Sequence, residues 1–302
     1  LVNGSLLVNG NPVSTVVSDP RVQAAEGNLP KLLKAQSRFA VAHIGLAEVE
    51  AGAEQLANAM RAALTQDACL LAVDAATQQD LLNIVRAANA TGADGLLVGS
   101  GGLAGAMAAD MADRELKKPR LLDIGHIDSG NSGPVLVLAG SYSVVTRRQV
   151  ELAVEQGAYL IGLALEQILD GDSEEAIRAA ATAVAEFLPA GRGVVLVPVG
   201  QMRLGAELQV ARAMAAVASQ VLAQTPLSGL VLTGGDIAMA GCRALGANSI
   251  VVDGEIAPGL PVGRLKGGSK AGLRVVTKAG AFGEDDALHV AIKYLSQAPI
   301  GV

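Results

Sequence analysis

Short apolar runs alternate with longer amphipathic stretches along most of the chain. The runs FAVAHIGL (39–46), ACLLAVDA (68–75) and GLLVG (95–99) have the length and bounding residues of buried strands. Between them, EVEAGAEQLANAMRAAL (48–64) and TQQDLLNIVRAANA (77–90) carry apolar residues at helical spacing, the second opened by a Thr cap. The rhythm resumes after residue 134. Strands are predicted at VLVLAG (135–140), GVVLVPVG (193–200), GLVLTGG (229–235), NSIVVDG (248–254) and LRVVTKAG (273–280). Helices are predicted at 144–157, 172–188, 206–225 and 284–297, the last with three acids at its positive end. Strands and helices in this succession imply parallel sheets with helices on their faces.

The stretch DRELKKPRLLDIGHIDSGNSGP (113–134) interrupts the pattern, being polar, charged and rich in Gly, Ser and Pro without a sustained period. It reads as a boundary. The fold class is therefore α/β with two domains, each a largely parallel sheet flanked by helices: residues 1–112, a linker over 113–133, and residues 134–302, a normal domain size. The opening LVNGSLLVNGNPVSTVV resembles a hairpin with no preceding element to pair with, so the chain is expected to start partway through its first domain. The unpaired edge of that hairpin would also suit a homo-oligomer.

Composition narrows the chemistry. Hydrophobic residues make up 51% of the 302 and aromatics only 2%, so the cores must be built from aliphatic side chains. A net charge of −6 and a pI near 5.2 argue against nucleic acid as a partner, since Lys117-Lys118-Pro119-Arg120 is the longest basic run. No apolar run approaches the ~20 residues that span a bilayer, and no signal-like segment opens the chain; a soluble, cytoplasmic protein without a membrane partner is expected. Cys69 and Cys242 stand far apart in apolar contexts, and His43, His126 and His289 lack ligand spacing, so no zinc or other protein-held metal centre is expected.

In open α/β sheets, ligands bind beyond the carboxyl ends of the strands. Three ends in the second half share one design: AGSYS, with Gly140, Ser141 and Ser143; TGGD, with Thr233, Gly234, Gly235 and Asp236; and TKAGAFG, with Thr277, Lys278, Gly280 and Gly283. Glycine lets backbone N–H groups approach a ligand, and a helix N-terminus adds partial positive charge, which together suit phosphate. Each turn alone reads first as a tight strand-to-helix connection, and the case for a ligand site rests on the coincidence of the three. Asp236 is suited either to Mg²⁺ through water or to capping the following helix, and Lys278 either to solvent or to a phosphate. GGSKAG (267–272) lacks the ending of a Walker A loop, and VGSGGLAG (98–105) contains no complete dinucleotide fingerprint.

Taken in order, VLVLAGSYSVVTRRQVE, LVLTGGDIA with ALGANSIVVDGEIAPGLPVGRL, and VVTKAGAFGEDDAL resemble the nucleotide-binding C-terminal domain of the four-carbon acid sugar kinases, over essentially 134–296. LLVNGNPVSTVVSDP, LPKLLKAQS, VDAATQQDL and LLVGSGGLAGAMA are similar to the back half of that family's substrate-binding domain. The resemblance implies ATP-dependent phosphorylation of a small sugar acid such as threonate or erythronate, with Mg²⁺. It implies ATP contacts at Ser141, Gly234, Gly235, Asp236, Ile237 and Gly280, with Lys278 a further candidate for neutralising the transferring phosphoryl group. It assigns no catalytic base. Ile237 stands where the family often has a hydroxyl residue, which leaves that position a backbone role, and Asp19-Pro20-Arg21-Val22-Gln23-Ala24-Ala25-Glu26 departs from the family's substrate-binding segment. A nucleotide-binding sensor or scaffold without turnover, and an NAD-dependent oxidoreductase, are the alternatives.

Overall fold

A computed structural model describes residues 1–8, 10–13, 27–65, 68–92, 95–114, 133–141 and 143–297. The chain divides into two compact units, Leu1–Pro119 and Arg120–Val302. Most of the expected linker (115–132) and the segment Asp19 to Glu26 lie outside the described residues.

The first unit opens with a short antiparallel hairpin, β1 (Leu7–Val8) and β2 (Asn11–Pro12), followed by α1 (Leu29–Gln36). A parallel pair comes next, β3 (Ala40–Ile44) beside β4 (Ala68–Val73). The helix expected over 48–64 is divided into α2 (Leu46–Glu50) and α3 (Ala53–Thr65), because Gly52 adopts φ +102° and turns the chain between them. Helix α4 (Gln78–Thr91) begins with a reciprocal capping box between Thr77 and Asp80 and ends at the left-handed Gly92. Burial pushes the Asp80 carboxyl up, but the N–H groups of Ala76 and Thr77 and the Thr77 hydroxyl outweigh it and hold the group below its usual range. Leu56, Met60, Ile84 and Ala87 pack these helices on Ile44 and Val49.

One expectation fails here. Residues 95–99 form no strand, and Leu96 and Val98 are 89% and 84% exposed. A strand needs a neighbour for its backbone donors and acceptors, and among the described residues none pairs with this segment. The small-residue helix α5 (Gly101–Asp113) follows it. Its two opening glycines, poor helix formers, conceal it in the sequence.

The second unit is a seven-stranded sheet with helices on both faces. In chain order it runs β5 (Val135–Ala139), α6 (Val144–Glu155), β6 (Tyr159–Ala164), α7 (Leu165–Asp170), α8 (Ser173–Phe187), β7 (Val194–Val199), α9 (Glu207–Gln224), β8 (Gly229–Thr233), α10 (Gly235–Ala244), β9 (Ser249–Glu255), β10 (Pro261–Lys266), β11 (Arg274–Lys278) and α11 (Ala287–Ser296). The spatial order is β6-β7-β5-β8-β11-β10-β9, parallel from β6 to β11, with β10 and β9 added antiparallel.

Residue type follows the pleat. Leu136, Leu138, Leu196, Leu230 and Leu232 face α7, α8, α9 and α10, whereas Val135, Val137, Val195, Val231 and Val276 face α6 and α11. All ten are at most 1% exposed, and burial of each contributes up to about 1.5–3 kcal/mol. Strands buried on both faces read as continuous apolar runs, which is why β5, β7 and β8 are legible in sequence. Two strands were not. β6 is an edge strand interrupted by Gly162, and β10 carries Pro261, Gly263 and two cations. Among the described residues no helix is long and apolar enough to cross a membrane.

Candidate functional site

Strands β5, β8 and β11 are neighbours, and their last residues are level: Ala139 is in register with Thr233, and Thr233 with Lys278. The three glycine turns therefore leave the sheet side by side. The helix after β5 packs on the valine face, while the helix after β8 packs on the leucine face. Two adjacent strands whose chains depart to opposite faces leave a crevice between them, the switch point where open α/β sheets receive ligands.

A cleft of ≈ 200 Å³ occupies that crevice. Ser141, Gly234, Gly235, Asp236, Ile237 and Gly280 all line it, together with Gly140, Thr233 and, from the α9 side, Met202, Glu207, Val210 and Ala211. Six of the seven residues at which the resemblance implies ATP contacts thus meet at one place. Pockets that enclose a whole small molecule measure about 300–1,000 Å³, so this cleft suits one end of a larger ligand. An adjoining hollow of ≈ 280 Å³, lined by Glu166, Leu169, Gln201, Met202 and Arg203, shares Met202 with it.

The turns are built for close approach. Gly234 has φ +103°, and its N–H donates to the Lys278 carbonyl at 2.8 Å, which pins the start of α10 to β11. The first bond within α10 runs from the Ala238 N–H to the Gly234 carbonyl at 3.0 Å, so the amides of Gly235, Asp236 and Ile237 form the open N-terminus of the helix. Among the described residues no side chain caps it. Asp236 is exposed, which leaves its carboxylate for the cleft rather than for capping. The Ile237 side chain, 4% exposed, belongs to the leucine-face core, leaving its backbone to the cleft. Across the crevice, Ser141 Oγ accepts from the Ser143 N–H at 3.3 Å, and any β-carbon on Gly280 would overlap Ser141.

Thr233 adds a feature the sequence did not mark. It is fully buried, and its Oγ1 has no hydrogen-bond partner among the described residues. A buried hydroxyl left unpaired costs about 1–3 kcal/mol; Thr233 is one of the residues around the cleft, beside three open amides. Glu207, the first residue of α9, was not among the residues marked in the sequence, because nothing local shows that its helix closes over the crevice. Together with Asp236 it places two carboxylates on the cleft. Among the described residues no cluster of three or more His, Cys, Asp or Glu could hold a metal by itself. One or two carboxylates with phosphate oxygens and water nevertheless suffice for Mg²⁺.

Lys278 does not line the cleft. It is 4% exposed, and its Nζ donates to the carbonyls of Ala279 (2.8 Å), Phe282 (3.0 Å) and Gly280 (3.4 Å) and to Thr146 Oγ1 (3.4 Å). Burial lowers its pKa to about 8. The Thr146 hydroxyl donates to the Gly280 carbonyl at 2.7 Å, and Gln149 Nε2 donates to the carbonyls of Phe282, Gly283 and Glu284. Cys242 is free and half-buried, its thiol pKa raised by burial, as suits a packed residue rather than a nucleophile.

In the first unit, one polar group stands at the carboxyl end of the parallel pair. Asp74 follows β4 and is fully buried; its Oδ1 accepts the Gly4 N–H at 3.0 Å and lies 3.0 Å from His43 Nε2, while Oδ2 has no partner among the described residues. The sequence offered a signal for it in the carboxylate that ends the strand in VDAATQQDL.

A nucleotide-binding C-terminal domain model matches residues 136–288, and a sugar-binding N-terminal domain model matches residues 1–107, so the N-terminal domain is represented in the chain. A D-threonate kinase of Salmonella typhimurium is 30% identical over 99% of this chain and 72% of its own length. A D-threonate kinase of Bordetella bronchiseptica is 32% identical over 94% and 65%, and a D-erythronate kinase of Heliobacterium modesticaldum 29% over 97% and 69%. The chain thus spans about two thirds of the length of these relatives. Crystal structures from Salmonella typhimurium (18% identity, TM-score 0.68, 96% of this chain and 69% of that one) and Haemophilus influenzae (22%, 0.60, 96% and 70%) share the fold. With both domain models matched in order and kinases among its relatives, the chain belongs to the four-carbon acid sugar kinase family.

Proposed function

We propose that the protein transfers the γ-phosphoryl group of ATP, with Mg²⁺, to a hydroxyl of a small four-carbon sugar acid such as threonate or erythronate. The observation that carries this reading is the convergence of three glycine turns on one cleft at the switch point of the sheet.

ATP would supply the phosphoryl group and Mg²⁺ the charge that balances it; the protein's part is to bind and orient. The amides of Gly235, Asp236 and Ile237 would hold phosphate oxygens at the positive end of α10, with hydrogen bonds from Ser141 and Thr233. Glu207 and Asp236 would hold the Mg²⁺ through its water shell. The small cleft takes the phosphate end, and the adjoining hollow that shares Met202 suits the remainder of the nucleotide. Phosphoryl transfer asks for positioning and charge stabilisation more than covalent participation, and a cleft lined by backbone amides and two acidic residues supports that economy. The sugar-binding model over residues 1–107 and the names of the relatives support a sugar acid as acceptor.

A coupled ADP-release assay with D-threonate and D-erythronate tests the proposal. Acid-dependent ADP release is the expected result. Nucleotide binding without turnover on any four-carbon acid would reject the kinase reading in favour of a sensor.

A further inference from the structure

The segment that carries Gly280 into the cleft turns its carbonyl oxygens inward. Those of Ala279, Gly280 and Phe282, with Thr146 Oγ1, surround Lys278 Nζ at 2.8–3.4 Å. Those of Phe282, Gly283 and Glu284 converge on Gln149 Nε2 at 2.9–3.1 Å. Lys278, Thr146 and Gln149 are 4%, 1% and 0% exposed. Converging carbonyl dipoles repel one another unless a cation or donor sits among them, and four oxygens around one ammonium exceed its three N–H bonds. The environment is one of charge and oxygen dipoles rather than of a paired carboxylate: all four contacts of Nζ are uncharged. The charged side chains nearby, Arg147 and Arg148 on α6 and Glu284, Asp285 and Asp286 in the loop, are exposed.

We propose that this carbonyl cage is a monovalent-cation site filled by the protein's own lysine. The Lys278 ammonium takes the place that K⁺ or NH₄⁺ would occupy and acts as a positioning residue, fixing the loop 279–284 so that Gly280 stands against Ser141 at the edge of the cleft. Two consequences follow. The intact protein needs no alkali ion to order this loop, and removal of the side chain creates a site selective for a monovalent cation.

The test compares the thermal melts of the wild type, Lys278→Ala and Lys278→Met in ammonium, potassium and tetramethylammonium chloride at equal ionic strength. Lys278→Ala should melt lower than the wild type in tetramethylammonium and recover in ammonium or potassium. The wild type should show no such ion preference, and neither should Lys278→Met, whose thioether fills the cage. An identical ion response in all three, or no recovery of Lys278→Ala, overturns the proposal. Should Lys278→Ala lack a cooperative melt, refolding it in each salt gives the same decision: recovery in ammonium or potassium supports the cage, and recovery in none refutes it. As a second readout, which rests on the nucleotide reading above, Mg·ATP affinity of Lys278→Ala should fall about tenfold and return with the same ions. If the wild type fails to bind ATP, the nucleotide reading falls, while the melts still judge the cage.

Discussion

The δ-methyl of Ile237 lies 2.5 Å from where a β-carbon of Gly140 would stand. The turn after β5 and the first turn of α10 are thus packed together through a contact that only glycine permits. Gly140→Ala should push Ile237 out of its pocket and carry the open amides of α10 with it. The expected cost is about 1–3 kcal/mol of stability, with a larger proportional loss of Mg·ATP affinity. Urea unfolding and a nucleotide titration on the same preparation measure both. A variant with wild-type affinity would show that the amides of α10 do not form the phosphate site.

Thr233→Val removes the unpaired buried hydroxyl while keeping the side chain's shape. Without ligand the variant should be at least as stable as the wild type, because the desolvation cost of Oγ1 disappears. With Mg·ATP it should bind roughly fivefold more weakly, the equivalent of one hydrogen bond. Melting curves with and without nucleotide would reveal the opposite signs, and a uniform change of both would mean that Thr233 is only a packing residue.

Asp236→Asn and Glu207→Gln each remove one negative charge from the cleft. Both should shift the Mg²⁺ dependence of ADP release to higher concentration and lower kcat/KM by at least about tenfold. In the absence of Mg²⁺, ATP itself should bind these variants as well as or better than the wild type, since a carboxylate repels the phosphates when no cation lies between them. Weaker metal-free binding would point instead to ribose recognition by Asp236.

Burial lowers the Lys278 pKa to about 8, against 10.5 in an unfolded chain. Between these values the unfolded chain binds the proton that the folded protein has released, so stability rises with pH through this window and falls again as pH drops through about 8. Relative to Lys278→Met, which cannot titrate there, the wild type should gain stability from pH 8 towards 10.5, as followed by urea midpoints at fixed ionic strength. The nucleotide site should respond in the opposite sense, because the neutral amine holds the carbonyls of Ala279, Gly280 and Phe282 less firmly. Parallel pH trends in stability and affinity would contradict the positioning role.

The chain's own pattern determined a good deal. Uninterrupted Val and Leu runs specify strands buried on both faces, so β5, β7, β8 and β11 lie where apolar periodicity puts them, and the Gly-Ser and Gly-Gly-Asp turns mark where they end. The strand expected at 95–99 shows the limit of such reasoning, since an apolar run becomes a strand only when a neighbour accepts its hydrogen bonds. β6 and β10 show the converse: pairing made strands of segments whose glycines, proline and charges obscure the period.

Tertiary structure alone decided which turns are neighbours. Strand order is set by long-range pairing, and it is the adjacency of β5, β8 and β11 that brings Ser141, Gly234 and Gly280 around one cleft and lets Glu207 reach it from α9. It also decided the direction of Lys278. By sequence that side chain could face solvent or phosphate, but the carbonyls drawn together by Thr146 and Gln149 offered its ammonium a closer set of partners. Local sequence fixes the turn a residue occupies and, for Lys278, supplies three nearby carbonyls, whereas Thr146 and Gln149, more than a hundred residues away, hold those carbonyls in place.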